Sequence, residues 1–337
     1  MKDADIIKAL LKLPLGKRRE LVEKVKDTLY AEDRYLTVRQ DVLGGEIKCQ
    51  HCDSEKVKKF GFFQGRHRYF CHACGRTFTE LTGTSIAGIK KKDKWEKFIK
   101  LMMDGKSIRD IAGELKVSTK TVFDWRHKVL SSFQTVFTKR FKGIVELDDA
   151  HFTFDQKGRK SKRKRIGKKK RGDSDQKATV VITSDRYNTV DMKLTKMGRI
   201  AEKDLKRVLK MDRFNKENLV LCSDRHPSIA AYFKKLNLNH KKIYANGGQY
   251  VAGKNGEYHV QTVNNLTGRF REFIKHNYKS VATKYLQNYL WLFQMNTILK
   301  KDKHALDSFL KFSLKDDRTI ERYRHIEKEY QKFLRIK

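Results

Sequence analysis

Residues 143–154, GIVELDDAHFTF, alternate apolar and polar side chains, which is the pattern of a half-buried β-strand. The stretches ATVVITSD (178–185) and YNTVDMKLT (187–195) follow it and predict two paired strands. Beyond them strands and helices alternate: a helix at 200–211, the buried strand NLVLCSD (218–224), a helix that has Pro227 in its first turn, the strand KKIYA (241–245) and a mostly helical remainder from about residue 259. This succession predicts a mixed α/β domain.

The chain before residue 143 has a different character. Residues 3–30 carry an apolar stripe on both sides of Pro14 and predict one or two amphipathic helices. Residues 47–82 contain four cysteines and short strand-like pieces, and residues 93–131 are predicted to be helical. A chain of 337 residues, 39% of them hydrophobic, is long enough for two or three domains.

The charge balance points to a polyanionic partner. The chain has 77 Lys and Arg residues against 40 Asp and Glu, a net charge of +37, and each phosphate contact of such a surface releases counterions. Double-stranded DNA is therefore the expected partner, and a ribosome-associated or membrane-surface protein is the alternative. Because no apolar run approaches the ~20 residues of a membrane span and the charged N-terminus is unlike a signal peptide, we expect a cytoplasmic protein without a membrane partner, associated with the nucleoid if it is prokaryotic.

Four of the five cysteines form two C-x-x-C pairs, Cys49/Cys52 and Cys71/Cys74, with 18 residues between the pairs. This spacing is typical of a zinc ribbon, in which each pair turns two thiolates toward one Zn²⁺ ion. Four thiolates complete a tetrahedral shell, so the expected zinc is structural and not catalytic. Gly75 follows the second pair, where such a turn favours a residue that tolerates positive φ. Two unrelated pairs, or a redox motif, are the alternatives.

The segment between the pairs, KVKKFGFFQGRHRYF (56–70), mixes basic and aromatic residues. That mixture suits contact with a DNA backbone and suits an ordinary ribbon core equally well. The fifth cysteine, Cys222, lies in an apolar run and is expected to be a small buried side chain.

The stretch SIRDIAGELKVSTKTVFDWRHKVL (107–130) predicts two short helices joined by a tight turn. Ser107 and Ser118 are suited to cap the first and the second helix. In the second helix the apolar residues are expected to face inward, and the residues expected to face outward are Thr119, Lys120, Thr121, Arg126 and Lys128. A pair of this kind is typical of a helix-turn-helix unit that enters the major groove of DNA, and a plain helical hairpin is the alternative.

A group of oxygen-bearing side chains suggests a metal site. Strand alternation puts Asp148 and Asp149 on opposite faces, Asp224 ends a buried strand, and Asn264 and Asn265 open a helical segment. Two carboxylates and a third oxygen ligand from separate elements suit a pair of Mg²⁺ ions, which support phosphoryl transfer. Acidic residues at strand ends are also common without a metal, so spacing alone leaves both interpretations open.

Most of the chain resembles the DDE-superfamily insertion-sequence transposases, in particular the group with an N-terminal zinc ribbon and an ISXO-like transposase domain. The resemblance is carried by the cysteine region with RTFTELTGTSI (76–86) after it, the helix pair at 107–130, IVELDDAHF (144–152) with its basic continuation, LVLCSD (219–224), and YHVQTVNNLTGRFREFI (258–274) followed by SVATKYLQNYLWLF (280–293). The last two stretches are the most specific.

The resemblance implies a multidomain α+β chain with an RNase H-like catalytic domain. The implied domains are an N-terminal helical segment (1–44), a zinc ribbon (45–85), a helix-turn-helix DNA-binding domain (90–140), an RNase H-like α/β transposase domain (143–300) with a basic insertion near 157–172, and a C-terminal helical tail (301–337).

The resemblance also implies the roles of the site residues. The family's V-E-hydrophobic-D-E pattern falls on 145–149, which implies Asp148 as the first catalytic aspartate and Asp149 as its acidic neighbour. The SD of LVLCSD implies Asp224 as the second, and an asparagine in a V-N context implies Asn264 as the third ligand. His259 matches the same stretch and is expected to orient a phosphate or a metal-bound water.

Two of these assignments have alternatives. The third ligand could instead be Asn265, Glu257 or Glu272, since an amide ligand supplies one negative charge fewer than a third carboxylate. The family's basic residue two helical turns after the asparagine falls on Arg271, and Arg269 and Lys275 are the alternatives.

The stretch KGRKSKRKRIGKKKR (157–171) contains eleven basic residues among fifteen. It follows the first catalytic strand, so we expect it to contact the DNA backbone near the cut site, and a solvated loop or a localisation signal is the alternative. The residues expected to contact DNA are Lys162, Arg163, Lys164, Arg165, Lys168, Lys169, Lys170 and Arg171.

Taken together, the sequence predicts a transposase that binds the terminal inverted repeats of an insertion sequence and uses Mg²⁺ or Mn²⁺ to cut and join DNA strands. Joining two ends implies a homodimer or a higher oligomer on the DNA. A non-catalytic DNA-binding regulator, or a nuclease of related fold, is the alternative.

Overall fold

The computed structural model describes residues 3–63, 66–157, 176–215, 217–244 and 247–336. Its helices are α1 (Asp3–Leu11), α2 (Leu15–Leu43), α3 (Trp95–Met103), α4 (Ile108–Leu115), α5 (Thr119–Ser132), α6 (Glu202–Val208), α7 (Pro227–Lys235), α8 (Gln261–Tyr278), α9 (Leu286–Leu299), α10 (Ala305–Leu314) and α11 (Thr319–Leu334). Its strands are β1 (Val57–Phe63), β2 (Arg66–Cys71), β3 (Thr77–Phe78), β4 (Ile144–Thr153), β5 (Lys177–Asp185), β6 (Val190–Met197), β7 (Val220–Asp224) and β8 (Asn239–Ile243). The predicted mixture of helices and sheets is thus confirmed.

The chain divides into two compact units. The first contains residues 1–125 and 306–318, and the second contains residues 126–305 and 319–337. The first unit therefore takes in a piece of chain close to the C-terminus. The individual domain limits given above remain predictions.

The first unit contains the small antiparallel sheet β1-β2-β3 and several helices, of which α1 and α2 come first in the chain. Pro14 separates these two helices as the sequence predicts, but α2 continues to Leu43, because no glycine or proline interrupts it between Gly16 and Gly44. Gly44 ends it in the left-handed conformation with φ 61°.

The second unit is built on a five-stranded sheet in the order β6-β5-β4-β7-β8. Strands β4, β5 and β6 are antiparallel neighbours, whereas β7 and β8 run parallel to β4. Strands β5 and β6 are joined by a short turn at residues 186–189, and the two parallel strands are each reached through a helix, α6 or α7. The carboxyl ends of β4, β7 and β8 consequently meet at one edge of the sheet.

The two faces of this sheet carry different side chains. On one face Val145 and Leu147 of β4 and Leu221 of β7 join a core that includes Leu205 of α6 and Phe233 of α7. On the other face helix α8 packs through its buried residues Val263, Leu266 and Phe270, and the ring of Phe270 lies 5.4 Å from that of Phe152 in β4. Because side chains alternate along β4, its even-numbered residues face α8.

Strand β6, at the edge of the sheet, forms hydrogen bonds with helix α9. The Gln294 side chain accepts the backbone N–H of Met192 at 3.0 Å, and the Gln287 side chain accepts that of Leu194 at 2.8 Å. These bonds satisfy backbone groups that an edge strand would otherwise leave open to another chain.

Candidate active site and cysteine cluster

Asp148 and Asp224 lie side by side at the carboxyl ends of two parallel strands. The register of β4 and β7 pairs Glu146 with Cys222 and Leu147 with Ser223, so Asp148 and Asp224 are the next residues of the ladder. Neighbouring strands lie about 4.8 Å apart, and residues in register on parallel strands point to the same face. Both carboxylates therefore lie on the side of the sheet that α8 covers.

The electrostatics of Asp148 reflect this proximity. Burial and the negative charges of Asp224 and Asp149 raise the pKa of Asp148 to about 7, although a hydrogen bond from the Asp149 backbone N–H and the charge of the Arg271 guanidinium act to lower it. Asp224 is half-buried, and its Oδ1 accepts the backbone N–H of His226 at 3.0 Å. Two neighbouring carboxylates of this kind are oxygen donors that suit a divalent cation.

Asn264 and Arg271 lie two turns apart on the same face of helix α8. Asn264 is exposed, and its backbone N–H bonds to the Val260 carbonyl at 3.1 Å. The Arg271 guanidinium lies 5.6 Å from the Phe152 ring and 3.5 Å from the His151 carbonyl oxygen, and its charge lowers the pKa of Asp148. Arg271 is thus directed at β4 close to Asp148.

The alternative ligands lie elsewhere. Asn265 and Glu272 line a shallow surface with Arg269 and Phe293, on another side of α8 from Arg271. Glu272 bonds to His276 at 2.9 Å. The carboxylate of Glu257 accepts the backbone N–H of Asn255 at 3.0 Å, in the loop before the helix.

Asp149 faces away from Asp148. Its carboxylate lies 3.3 Å from Nε2 of His151, whose Nδ1 lies 2.9 Å from the Thr179 hydroxyl. The alternation predicted from the sequence thus places the two adjacent aspartates on opposite faces of β4.

Sequence reasoning missed Glu146, which is buried in β4 on the face of Asp148 with 1% of its surface exposed. It bonds to Arg186 and to the first turn of α8, and His259 lies in the same group with Nδ1 3.2 Å from Glu146. An acidic residue inside an apolar strand, in phase with a candidate ligand, is the signal that could have identified it.

The four cysteines of the two C-x-x-C pairs converge at one place. Their sulfur atoms all lie within 4.8 Å of one another, with 3.6 Å between Cys49 and Cys74 and 3.7 Å between Cys52 and Cys71. Zn–S bonds of about 2.3 Å in a tetrahedron require sulfur atoms about 3.8 Å apart. The group fits a structural Zn²⁺ ion held by all four thiolates. Among the described residues, no other group of three or more His, Cys, Asp or Glu side chains brings its ligand atoms this close together.

The local turns arrange these thiolates. The Asp53 N–H bonds to the Cys49 carbonyl at 2.8 Å and the Gly75 N–H bonds to the Cys71 carbonyl at 2.9 Å. Both residues that follow the pairs have positive φ, 59° at Asp53 and 67° at Gly75, as predicted for Gly75. Although desolvation acts to raise it, the pKa of Cys71 falls to about 7 because the backbone N–H groups of Cys74 and Ala73 stabilise its thiolate.

The aromatic residues between the cysteine pairs divide into two groups. Tyr69 joins Phe78 in the small core around the cysteines. By contrast Phe60, Phe62 and Phe63 of β1 are 49%, 70% and 55% exposed. The ribbon therefore has both a core and an exposed aromatic strand, flanked by basic residues such as Arg68, which lies over the Phe60 ring.

Helices α4 and α5 form the predicted pair joined by a tight turn. Ser107 accepts the Asp110 N–H at 3.2 Å in a capping box, and Ser118 accepts the Thr121 N–H at 3.1 Å. Thr119 and Lys120 are exposed at the start of α5, and Thr121 is half-buried.

Arg126 does not face outward, so that expectation is wrong. Its side chain is fully buried, and the guanidinium lies 5.3 Å from the ring centre of Tyr278. Trp125, Arg126 and His127 are consecutive and all buried, so α5 is enclosed on more than one side at this point. An amphipathic pattern assumes a single buried face and therefore misplaces a residue in such a segment.

The predicted DNA contacts of the basic stretch concern residues 162–165 and 168–171, which lie outside the described residues.

Among the described residues, each helix is too short or too polar to span a membrane.

Comparison with known proteins relates the chain to mobile elements. Residues 140–295 match the ISXO2-like transposase domain. An uncharacterized protein in transposable element ISH50 of Halobacterium salinarum is 26% identical over 287 residues, which cover 80% of this chain and 92% of that protein.

Among solved structures, overall similarity is low. A pre-cleavage Mos1 transpososome is 11% identical, covering 69% of this chain and 78% of that chain with a TM-score of 0.26, and the Mos1 strand transfer complex is 12% identical, covering 69% and 77% with a TM-score of 0.24. The family match, in contrast, spans the whole sheet β4–β8 with α6 to α8 and most of α9. The part of this chain that is similar to the ISXO2-like transposase domain is therefore its central part, residues 140–295.

Proposed function

We propose that this protein is a DNA transposase that binds the ends of an insertion sequence and catalyses metal-dependent strand cleavage and transfer at Asp148, Asp224 and Asn264. The observation that carries the proposal is the register of β4 and β7, which makes the two aspartates neighbours on one face of the sheet. The match of residues 140–295 to the ISXO2-like transposase domain supports DNA strand cleavage and transfer as the reaction. The sheet order is compatible with an RNase H-like domain.

In this proposal each residue has a distinct task. Asp148 and Asp224 hold Mg²⁺ or Mn²⁺ with their carboxylates, and the amide oxygen of Asn264 is the third ligand. When bound, the metal supplies activation of the attacking oxygen and stabilisation of the leaving oxygen. Arg271, directed at β4 beside Asp148, contributes a fixed positive charge for the reacting phosphate.

The remaining parts of the chain support DNA binding. The net charge of +37 favours phosphate contacts along an extended surface. The exposed start of α5 and the exposed aromatic strand β1 are the described surfaces we assign to DNA, and a structural Zn²⁺ held by the four cysteines would stabilise the ribbon. Since two element ends must be joined, we assign the activity to a dimer or a larger assembly on DNA.

The test uses labelled DNA ends from the sequence flanking the reading frame, a plasmid target and Mg²⁺ or Mn²⁺. A transposase gives joined product, a nuclease gives cut product only, and a DNA-binding regulator gives retained complex only. Asp224→Ala should abolish joining while end binding stays near the wild-type level. Asp212→Ala removes an exposed aspartate of the same unit and serves as the matched control. Joining by Asp224→Ala at the wild-type rate would refute the site assignment.

End recognition is tested separately by gel shift. Lys120, whose side chain is 83% exposed at the start of α5, is replaced by Ala and compared with Lys97→Ala in α3, where the side chain is 59% exposed. If α5 enters the groove, Lys120→Ala should weaken end binding more than Lys97→Ala does. Equal affinities would argue against α5 as the DNA-contacting helix.

A further inference from the structure

Glu146 is a carboxylate that is fully buried yet fully bonded. Its Oε2 accepts the backbone N–H groups of Thr262 at 2.8 Å and Val263 at 3.1 Å. Its Oε1 accepts the Thr262 hydroxyl at 2.7 Å and a hydrogen bond from the Arg186 guanidinium. A polar group with only 1% of its surface exposed is costly to bury unless it is hydrogen-bonded, and these partners offset that cost.

These bonds make Glu146 the cap of helix α8. Thr262 and Val263 are the second and third residues of the helix, and their N–H groups have no partner within it. The residue before the helix, Val260, provides no side-chain cap. A carboxylate from the sheet thus replaces the usual N-cap side chain, and its negative charge is favourable at the positive end of the helix dipole.

Arg186 connects the same carboxylate to two further segments. It lies directly after β5, and its guanidinium bonds to the Thr262 hydroxyl at 3.0 Å and to the Glu257 carbonyl at 3.1 Å. Nδ1 of His259 lies 3.4 Å from the guanidinium and 3.2 Å from Glu146. The strand β4, the end of β5 and the start of α8 are therefore joined at one point.

This point is close to the candidate ligands along the chain. Glu146 precedes Asp148 by two residues on the same face of β4, and Val263 directly precedes Asn264. A shift of α8 along its axis would move Asn264 relative to Asp148, and the Glu146 bonds oppose that shift. A displacement of about 1 Å at a catalytic group is enough to lower a rate about a hundredfold.

We propose that Glu146 is a positioning residue that fixes the start of α8 against β4, so that Asn264 and Arg271 are presented to the same metal and phosphate as Asp148. This inference rests on the proposed function, in which Asp148, Asp224 and Asn264 form the metal site. It adds a residue that touches neither metal nor DNA and acts through the helix.

The test compares two buried carboxylates that each cap a helix. Glu146→Gln removes the charge and one acceptor at α8. Asp204→Asn makes the same change at α6, where Asp204 is also 1% exposed, accepts the Ala201 N–H at 2.9 Å and pairs with Lys196 and Arg207. Both variants are expected to lose thermal stability, so a loss of stability alone does not support the proposal.

The distinguishing readouts are Mn²⁺ binding to the full chain without DNA and the Mn²⁺ dependence of joining pre-cut ends. Glu146→Gln should need about tenfold more Mn²⁺ for half-saturation in both assays, within the range found for residues that support metal ligands. Asp204→Asn should match the wild type in both. Amide exchange should quicken at Thr262 and Val263 in Glu146→Gln only. Wild-type Mn²⁺ dependence in Glu146→Gln would overturn the proposal.

Two further comparisons keep the outcome decisive. If Glu146→Gln does not fold, Thr262→Val removes only the hydroxyl bonds and should shift Mn²⁺ dependence in the same direction by a smaller factor, and an unchanged dependence again overturns the proposal. If the wild type binds Mn²⁺ through Asp148 but joins no ends, the transposase function fails while the effect of Glu146 on Mn²⁺ binding is still measured. If Asp148→Asn does not weaken Mn²⁺ binding, the metal site and this inference fail together.

Discussion

Asp148 and Asp149 are consecutive in β4, and the two side chains have different surroundings. Asp148 faces Asp224 and Arg271, whereas Asp149 pairs with His151 on the opposite face. Asp148→Asn should reduce strand joining at least about a hundredfold, because an amide cannot replace the charge of a metal-binding carboxylate. Asp149→Asn should reduce strand joining less than about tenfold, since it changes only the contact with His151 on the opposite face of β4. Rates measured with pre-cut labelled ends compare the two, and equal losses would contradict the assignment.

The raised pKa of Asp148 predicts that metal binding is linked to protons. Burial and the charge of Asp224 raise this pKa to about 7 from an ordinary value of 3.8. The folded protein therefore holds the proton more tightly than the unfolded chain, and without metal this group's contribution to stability falls as the pH rises from about 4 to about 7.

At about pH 6 a divalent cation must displace the proton of Asp148, whereas at about pH 8 the carboxylate is already ionised. Mn²⁺ binding should thus release close to one proton at the lower pH and almost none at the higher. Calorimetry in two buffers that differ in ionisation enthalpy measures this number directly. Proton release in Asp148→Asn equal to that of the wild type would assign the linkage to another group.

The limits of sequence reasoning are clearest at single residues. The pairing of Asp148 with Asp224 could be predicted because both lie at the ends of apolar strands, where alternation and parallel register determine the direction of a side chain. The burial of Arg126 and the bonding partners of Glu146 could not be predicted, because these partners lie in Tyr278 and in α8, more than a hundred residues away along the chain. Local periodicity carries no information on such partners.

At the level of elements, the cysteine-bearing sheet β1-β2-β3 has too small a core to fold by apolar packing alone. Its buried cluster consists of Cys49, Tyr69, Cys71 and Phe78 with three partly buried neighbours. Metal binding in such a unit is coupled to its folding. Cys71→Ser should therefore lose the bound Zn²⁺, about one equivalent in the wild type, and the amides of β1, β2 and β3 should exchange rapidly.

Cys222→Ser is the matched control for this change. Cys222 is a buried thiol in β7, outside the ribbon, so its loss should leave the zinc content unaltered. Metal analysis of the purified proteins and amide exchange of the ribbon peptides measure both effects. Full zinc content in Cys71→Ser would show that the four thiolates do not form the binding site.

Most elements could be predicted from local patterns, but their extents could not. The strands of the large sheet, Pro227 at the start of α7 and the serine caps of α4 and α5 follow from periodicity and capping chemistry. The 29 residues of α2 exceed the predicted helix, because the helix continues past residue 30 as far as the next glycine after Gly16, which is Gly44. Helix ends depend on stop signals and tertiary packing more than on amphipathicity.

At the scale of the whole molecule, residues 306–318 belong to the same compact unit as the N-terminal third of the chain. The contact is made by polar groups: Ser85 bonds to the Ser313 carbonyl at 2.8 Å, and Arg39 bonds to the Leu314 carbonyl at 2.7 Å. No local sequence signal specifies pairings more than two hundred residues apart. The C-terminal region could therefore be predicted as helical but not assigned to a unit.

Arg39 is the central link of this unit and allows its closure to be tested. Its side chain is fully buried, pairs with Asp317 and also bonds to the Glu80 carbonyl at 3.0 Å. Arg39→Met should lower the free energy of unfolding of the first unit by about 3 kcal/mol, because it leaves Asp317 and three carbonyl oxygens without their donor.

Arg34 provides the control, since it joins the same helix α2 to Asp307 at 2.6 Å but is 37% exposed. Arg34→Met should cost less than about 1 kcal/mol, because water screens and replaces an exposed ion pair. Denaturant unfolding followed by amide exchange at α2 and at residues 306–318 measures both variants. If Arg39 holds the two segments together, exchange at both quickens to the same degree in Arg39→Met. Faster exchange in α2 alone would mean that the C-terminal segment is kept in place by other contacts.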